Sequence, residues 1–167
     1  MLFEDEAGNI WFKHGSFLTR QLNTCRLNPT TGVIKKYPLD DINGGNSYLK
    51  SFGTVELSGT IWLLDNKKNL NRLNRQKDSF EIIIPAGRDF LQSGIADTLR
   101  QLSKGNAGRL LLTGSHGLYI FDSKNQKIVK SYVHQPGNTN GIADSIFYAI
   151  QDLNGQIWIT YNMGKFR

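Results

Sequence analysis

The sequence predicts an all-β protein, a β-propeller fragment of about three and a half four-stranded antiparallel blades. Three observations carry this. A hairpin signature of turn, glycine and apolar strand occurs four times, the copies are almost evenly spaced, and the segments between them repeat as well.

The first copy is Asp5-Glu6-Ala7-Gly8-Asn9-Ile10-Trp11-Phe12 and the second is Glu56-Leu57-Ser58-Gly59-Thr60-Ile61-Trp62-Leu63. The third, Gly105-Asn106-Ala107-Gly108-Arg109-Leu110-Leu111-Leu112, lacks the acid and the tryptophan. The fourth is Asp152-Leu153-Asn154-Gly155-Gln156-Ile157-Trp158-Ile159. In each, a glycine at the end of the turn suits a short hairpin whose last loop residue needs positive φ. The turn glycines Gly8, Gly59, Gly108 and Gly155 lie 51, 49 and 47 residues apart. A period of roughly 40–50 residues is that of propeller blades.

A third strand follows each Trp strand, as Cys25–Asn28, Asn71–Asn74 and Leu118–Asp122. A polar turn comes next, at Pro29–Gly32, Arg75–Asp78 and Ser123–Gln126. The fourth strand is then Val33–Tyr37, Phe80–Ile84 or Ile128–Tyr132. Gly/Asn/Pro-rich connections close the units, clearest at Pro136–Gly141, with Asn43–Asn46 its counterpart. Short strands rich in Ile, Val, Tyr, Phe and Trp between such turns read as antiparallel meanders. Ile95 to Leu102 falls where the third unit needs its first strand. The expected blades are 1–42 (first strand incomplete), 43–90, 91–139 and the first half of a fourth at 140–167. Propellers close with four to eight blades, so the chain reads as part of a longer ring, or as one that closes by forming a homodimer or recruiting a partner.

Composition narrows the function classes. The net charge of +6 is spread over strands and turns, with its densest run at Lys67, Lys68, Arg72, Arg75 and Lys77. This reads as a solvated outer surface, and no nucleic-acid-binding motif accompanies it. The single Cys25 has no intrachain partner and reads as a small buried side chain. No apolar run reaches the ~18 residues of a membrane helix, so a membrane would be reached only through a segment outside this chain.

No catalytic, cofactor or metal site is expected from the residues, and no ligand-binding residue is assigned. His14, His116 and His134 have no metal-ligand spacing with one another or with Cys25. Ser115 beside His116 makes no catalytic pair without mutual geometry and an orienting acid. Asp5, Glu56 and Asp152 recur at matching places and read as acceptors for turn amides. Trp11, Trp62 and Trp158 read as packing between blades. The loops after the Trp strands (Lys13–Gly15, Asn66–Asn69, Ser115–His116 and Asn162) share one face with the connection His134–Asn140. Ligands are expected there, because loops on a rigid scaffold carry binding.

The run Tyr132-Val133-His134-Gln135-Pro136-Gly137-Asn138, followed by Ile150, Asp152, Gly155 and Ile157-Trp158-Ile159-Thr160, resembles the two-component regulator propeller repeat. Leu118-Tyr119-Ile120-Phe121-Asp122 resembles its "G-l-x-x-f-d" strand. The first unit departs from the pattern at Lys13-His14 and carries an apparent insertion at Phe17–Thr24. The resemblance implies a ligand-sensing, signal-transducing, periplasmic segment that answers to oligosaccharides. Further blades and a histidine kinase region would lie elsewhere in the protein, so this segment itself is not an enzyme. A streptogramin-lyase-like propeller enzyme and a protein-interaction scaffold are the alternative readings.

Overall fold

The computed structural model describes residues 2–15, 22–39, 54–65, 67–87, 97–142 and 146–161. They form fourteen strands and, among the described residues, no helix. The first sheet holds β1 (Leu2–Glu4), β2 (Ile10–Gly15), β3 (Leu22–Leu27) and β4 (Ile34–Leu39). The second holds β5 (Thr54–Leu57), β6 (Thr60–Leu64), β7 (Leu70–Asn74) and β8 (Ser79–Ile84). The third holds β9 (Leu99–Lys104), β10 (Arg109–Gly114), β11 (Gly117–Asp122) and β12 (Lys127–Val133). A two-stranded sheet of β13 (Ile146–Gln151) and β14 (Ile157–Tyr161) follows. Each strand pairs antiparallel with its neighbours in sequence order, as expected of propeller blades.

Burial explains why the sheets stack. Side chains alternate across a strand, so a strand between two sheets must be apolar on both faces. In β6, Trp62 and Leu64 pack toward the third sheet, while Ile61 packs with Trp11 and Tyr37 of the first. In β10, Leu110 and Leu112 meet the second sheet, while Leu111 meets Ile146 and Ala149 of the fourth. Both strands are therefore nearly continuous apolar runs. The outer strand β12 alternates with solvent instead, and Val129 and Tyr132 stay exposed. Each fully buried Leu or Phe stabilises the fold by roughly 1.5–3 kcal/mol relative to exposure.

The aromatic rings fix the sheet spacing. Trp11 stacks on Tyr37 with centroids 5.4 Å apart, and Phe80 of the second sheet meets Tyr37 edge-on at 5.3 Å. Trp62 and Phe121 make the matching T-shaped contact at 5.5 Å between the second and third sheets.

Several details differ from the sequence reading. The apparent insertion at Phe17–Thr24 is partly strand: Leu22, Asn23 and Thr24 extend β3 and pair with Gly15, His14 and Lys13. The first strand of the third sheet starts at Leu99, later than Ile95. The connection Asn43–Asn46 lies outside the described residues. Trp11 and Trp62 are core at 0% and 1% exposure, whereas Trp158 is 60% exposed. The reason is positional: among the described residues only the third sheet packs against this one, on its other face, and Trp158, Ile150 and Tyr148 are exposed.

Candidate functional site

In a meander blade the hairpin turns fall at one edge, and the remaining loops and connections at the other. At the hairpin edge the acid-Trp signature proves structural. Asp5 Oδ1 accepts from the amides of Ala7 (3.0 Å) and Asn9 (2.9 Å), and Oδ2 accepts from the indole N–H of Trp11 (2.8 Å). Asp152 repeats this with Asn154, Gln156 (both 2.9 Å) and Trp158 (3.0 Å). One carboxylate thus closes the turn and orients the ring. Burial opposes the charge on Asp5, but the Trp11 indole and the turn donors outweigh it and hold its pKa below the usual value.

Glu56 does not belong to this set. Its hairpin is one residue shorter: Glu56 pairs with Ile61 across five positions, whereas Glu4 pairs with Ile10 across six. Ser58 and Gly59, with φ of 51° and 70°, make a two-residue turn of the type I′ kind. Glu56 therefore stands where Glu4 stands, and its carboxylate accepts from the Glu6 amide of the neighbouring sheet (3.3 Å). Gln151 does the same for Asn106 (2.8 Å). The indole N–H of Trp62 is left buried without an acceptor.

The opposite edge carries the candidate site. Its centre is Asp97, 2% exposed, a residue that the sequence reading passed over. Asp97 Oδ1 accepts from the amides of Thr98 and Ser115 (both 2.6 Å), and Oδ2 accepts from the His116 amide (3.2 Å) and the Tyr119 hydroxyl. A Cβ on Gly114 would lie 2.3 Å from Asp97 Oδ2, so only glycine lets the carboxylate settle there. His116, half-exposed, sets its Nδ1 3.4 Å from Asp97 Oδ1. The His116 carbonyl accepts from the His134 amide (2.9 Å), and His134 Nδ1 lies 2.9 Å from the Ile142 carbonyl. One buried carboxylate therefore ties the strand entry at 97–98 to the loop at 115–116, and the connection at 134–142 leans on that loop.

The second sheet builds a similar node. Asp65 Oδ1 accepts from the Asn69 amide (2.8 Å), and its Oδ2 from the side-chain amides of Asn69 (2.8 Å) and Asn71 (3.0 Å). Near the same edge, burial and the neighbouring Lys68 ammonium pull the pKa of Lys13 down to about 8. The edge thus exposes His116 over a fixed carboxylate, while the Asn69 and Asn71 side-chain amides turn inward to Asp65.

Of the residues weighed from sequence, the structure brings His116 and His134 together on this edge and puts an acid beneath His116. Ser115 meets that acid only through its amide, and its hydroxyl makes no hydrogen bond to His116. His14 lies exposed at the end of β2. Asn66 and Asn162 fall outside the described residues. Among the described residues, no three His, Cys, Asp or Glu side chains converge, and no helix is long and apolar enough to cross a membrane. A signal for Asp97 was present in the sequence. Gly94-Ile95-Ala96-Asp97-Thr98-Leu99 recurs 47 residues later as Gly141-Ile142-Ala143-Asp144-Ser145-Ile146.

No family model matches the sequence, and no curated protein does. Solved structures do. The extracellular domain of the putative one-component system BT4673 from B. thetaiotaomicron aligns over 96% of this chain with a TM-score of 0.64 and 14% identity. This chain spans 20% of that one. The extracellular domain of the putative hybrid two-component system BT3049 from B. thetaiotaomicron aligns over 98% of this chain and 25% of its own, with 14% identity and a TM-score of 0.34, too low to bear on the fold. At 14% identity the first likeness establishes the fold alone, that of a β-propeller segment.

Proposed function

We propose that this chain is the ligand-sensing propeller segment of a two-component-type regulatory receptor, working outside the cytoplasm. The observation that carries the reading is the alignment of 96% of the chain on the extracellular domain of a putative one-component system. The repeat resemblance at Tyr132–Thr160 points the same way. Further blades continue the ring, and the sheet face bearing Trp158 and Ile150 receives one of them. A kinase or effector region elsewhere in the protein supplies the output.

The ligand side is the edge built on Asp97. Its loops are held from below by a buried carboxylate, while His116 and Asn138 face solvent. Preorganised polar groups of this kind favour hydroxyl-rich ligands such as oligosaccharides, because little ordering is left to be done on binding.

The test is a transcriptional reporter driven by the receptor in cells supplied with separate pools of oligosaccharides. The reading predicts induction by at least one pool. It also predicts loss of that induction in His116→Ala with unchanged receptor level. A receptor that answers to no pool, or whose response survives with both His116→Ala and Asn138→Ala, would contradict it.

A further inference from the structure

The Asp97 and Asp65 nodes are related by strand register. Trp62 and Leu111 hold the same place after their turn glycines. One step on, Leu63 faces Asn71 and Leu112 faces Tyr119. The next step sets Leu64 against Leu70 and Thr113 against Leu118. A third step brings Asp65 opposite Asn69 and Gly114 opposite Gly117. Asp65 thus stands where Gly114 stands, and Asn71 where Tyr119 stands.

Gly114 is kept bare by a single group. The three heavy atoms nearest to a Cβ built there all belong to the Asp97 side chain: Oδ2 at 2.3 Å, Cγ at 2.6 Å and Oδ1 at 2.8 Å. The backbone sets no such demand, because Gly114 is not among the positive-φ glycines. The Asp97 carboxylate therefore fills the space that a side chain at position 114 would fill. In the second sheet that space is filled from within, by Asp65.

The bonds match as well as the volume. One oxygen of each acid takes a loop amide, that of Asn69 for Asp65 (2.8 Å) and that of Ser115 for Asp97 (2.6 Å). The other oxygen takes a buried donor from the matching place on the next strand. Asp65 takes the Asn71 side-chain amide (3.0 Å), and Asp97 takes the Tyr119 hydroxyl. The first sheet has His14 at this position, exposed to solvent. A blade can thus be built without the carboxylate, so the acid serves the loop above it more than the strands.

We infer that the second and third blades hold their loops at this edge with one carboxylate drawn from two places in the chain, and that Asp65 is a positioning residue of the ligand side. The ligand side itself rests on the sensor reading above. Asp65 orders the loop that ends at Asn69 as Asp97 orders the loop at 115–116, so the two loops meet a ligand with little ordering left to be done.

Hydrogen–deuterium exchange of the full-length protein, read on peptides covering 113–119, tests this together with urea denaturation. Asp97→Ala should speed exchange of the Ser115 and His116 amides at least about tenfold, the effect of losing one charge-assisted bond. Gly114→Asp alone forces two carboxylates into one space and should lower the urea midpoint. The double variant, Asp97→Ala with Gly114→Asp, should recover slow exchange and a midpoint above that of Asp97→Ala. If Gly114→Asp alone unfolds, the double variant is still compared with Asp97→Ala. Asp65→Ala should raise the half-maximal concentration of the oligosaccharide pool that drives the reporter by roughly tenfold. Asp97→Ala should do the same, and the double variant should reverse it. A double variant no better protected than Asp97→Ala would overturn the shared device. A half-maximal concentration unchanged in Asp65→Ala, with the midpoint lowered, would overturn the positioning role. If no pool drives the reporter, the sensor reading fails, and exchange protection still decides the shared device.

Discussion

The indole N–H of Trp11 donates to Asp5 at 2.8 Å, and the same carboxylate closes the turn that separates them. The pair links chain direction to sheet packing. The acid sets the hairpin, and the ring it orients fills the space against the next sheet.

Asp5→Ala should therefore destabilise the protein by about 1–3 kcal/mol, since it strands a buried donor and opens a turn. Asp152→Ala should cost about as much in the full-length protein, because Asp152 holds Trp158 in the same way and a further blade covers that ring. Urea denaturation of both variants checks this. A much smaller loss for Asp152→Ala would show that the Trp158 indole is open to water.

Trp62 lacks such an acceptor, so Trp62→Phe removes no hydrogen bond. Trp11→Phe removes one made to a charged group. With similar ring loss in both, Trp11→Phe should be the more destabilising by about 1.5–3 kcal/mol. Denaturant midpoints and slopes of the two variants measure the difference, and a larger loss for Trp62→Phe would contradict it.

Asp78 gives the fold an acid dependence. Burial pushes its pKa up, but the Lys35, Tyr37 and Arg26 donors outweigh that and bring it from 3.8 to about 2. The unfolded chain therefore takes up this proton first. The contribution is complete above about pH 4 and is lost as pH falls through about 2. Asp78→Asn should flatten the thermal-stability profile between those values. Parallel profiles for the two proteins would show that Asp78 titrates normally.

Gly114→Ala should destabilise by about 2–3 kcal/mol, by overpacking against the Asp97 carboxylate and displacing it from its donors. Asp97→Ala in the same background should add little, because the contact is already lost. Additive losses in that double-mutant cycle would separate the two residues.

The blades were legible in the sequence because their causes are local. A positive-φ glycine, an acid three residues before it and apolar strands on either side repeat with the fold, and each copy vouches for the others. Two kinds of feature were not legible. Glu56 aligned with Asp5 by distance from the turn glycine, yet the shorter hairpin moved it to another position, and only strand register shows that. Asp97 and Asp78 owe their roles to partners brought near by the meander and by sheet stacking. Asp97 meets Tyr119 from 22 residues away, and Asp78 meets Arg26 from 52. Trp158 showed the opposite limit. Its hairpin matches that of Trp11, but burial depends on a neighbouring sheet and not on the hairpin.

That dependence can be measured at Trp158 itself. If the chain is one stretch of a larger ring, the Trp158 face packs against another blade in the full-length protein. Trp158→Ala should then destabilise it by about 3–5 kcal/mol in denaturant unfolding, the cost of truncating a buried tryptophan. An unchanged denaturation midpoint would show that the face stays open, and would contradict the propeller ring on which the proposed sensor role rests.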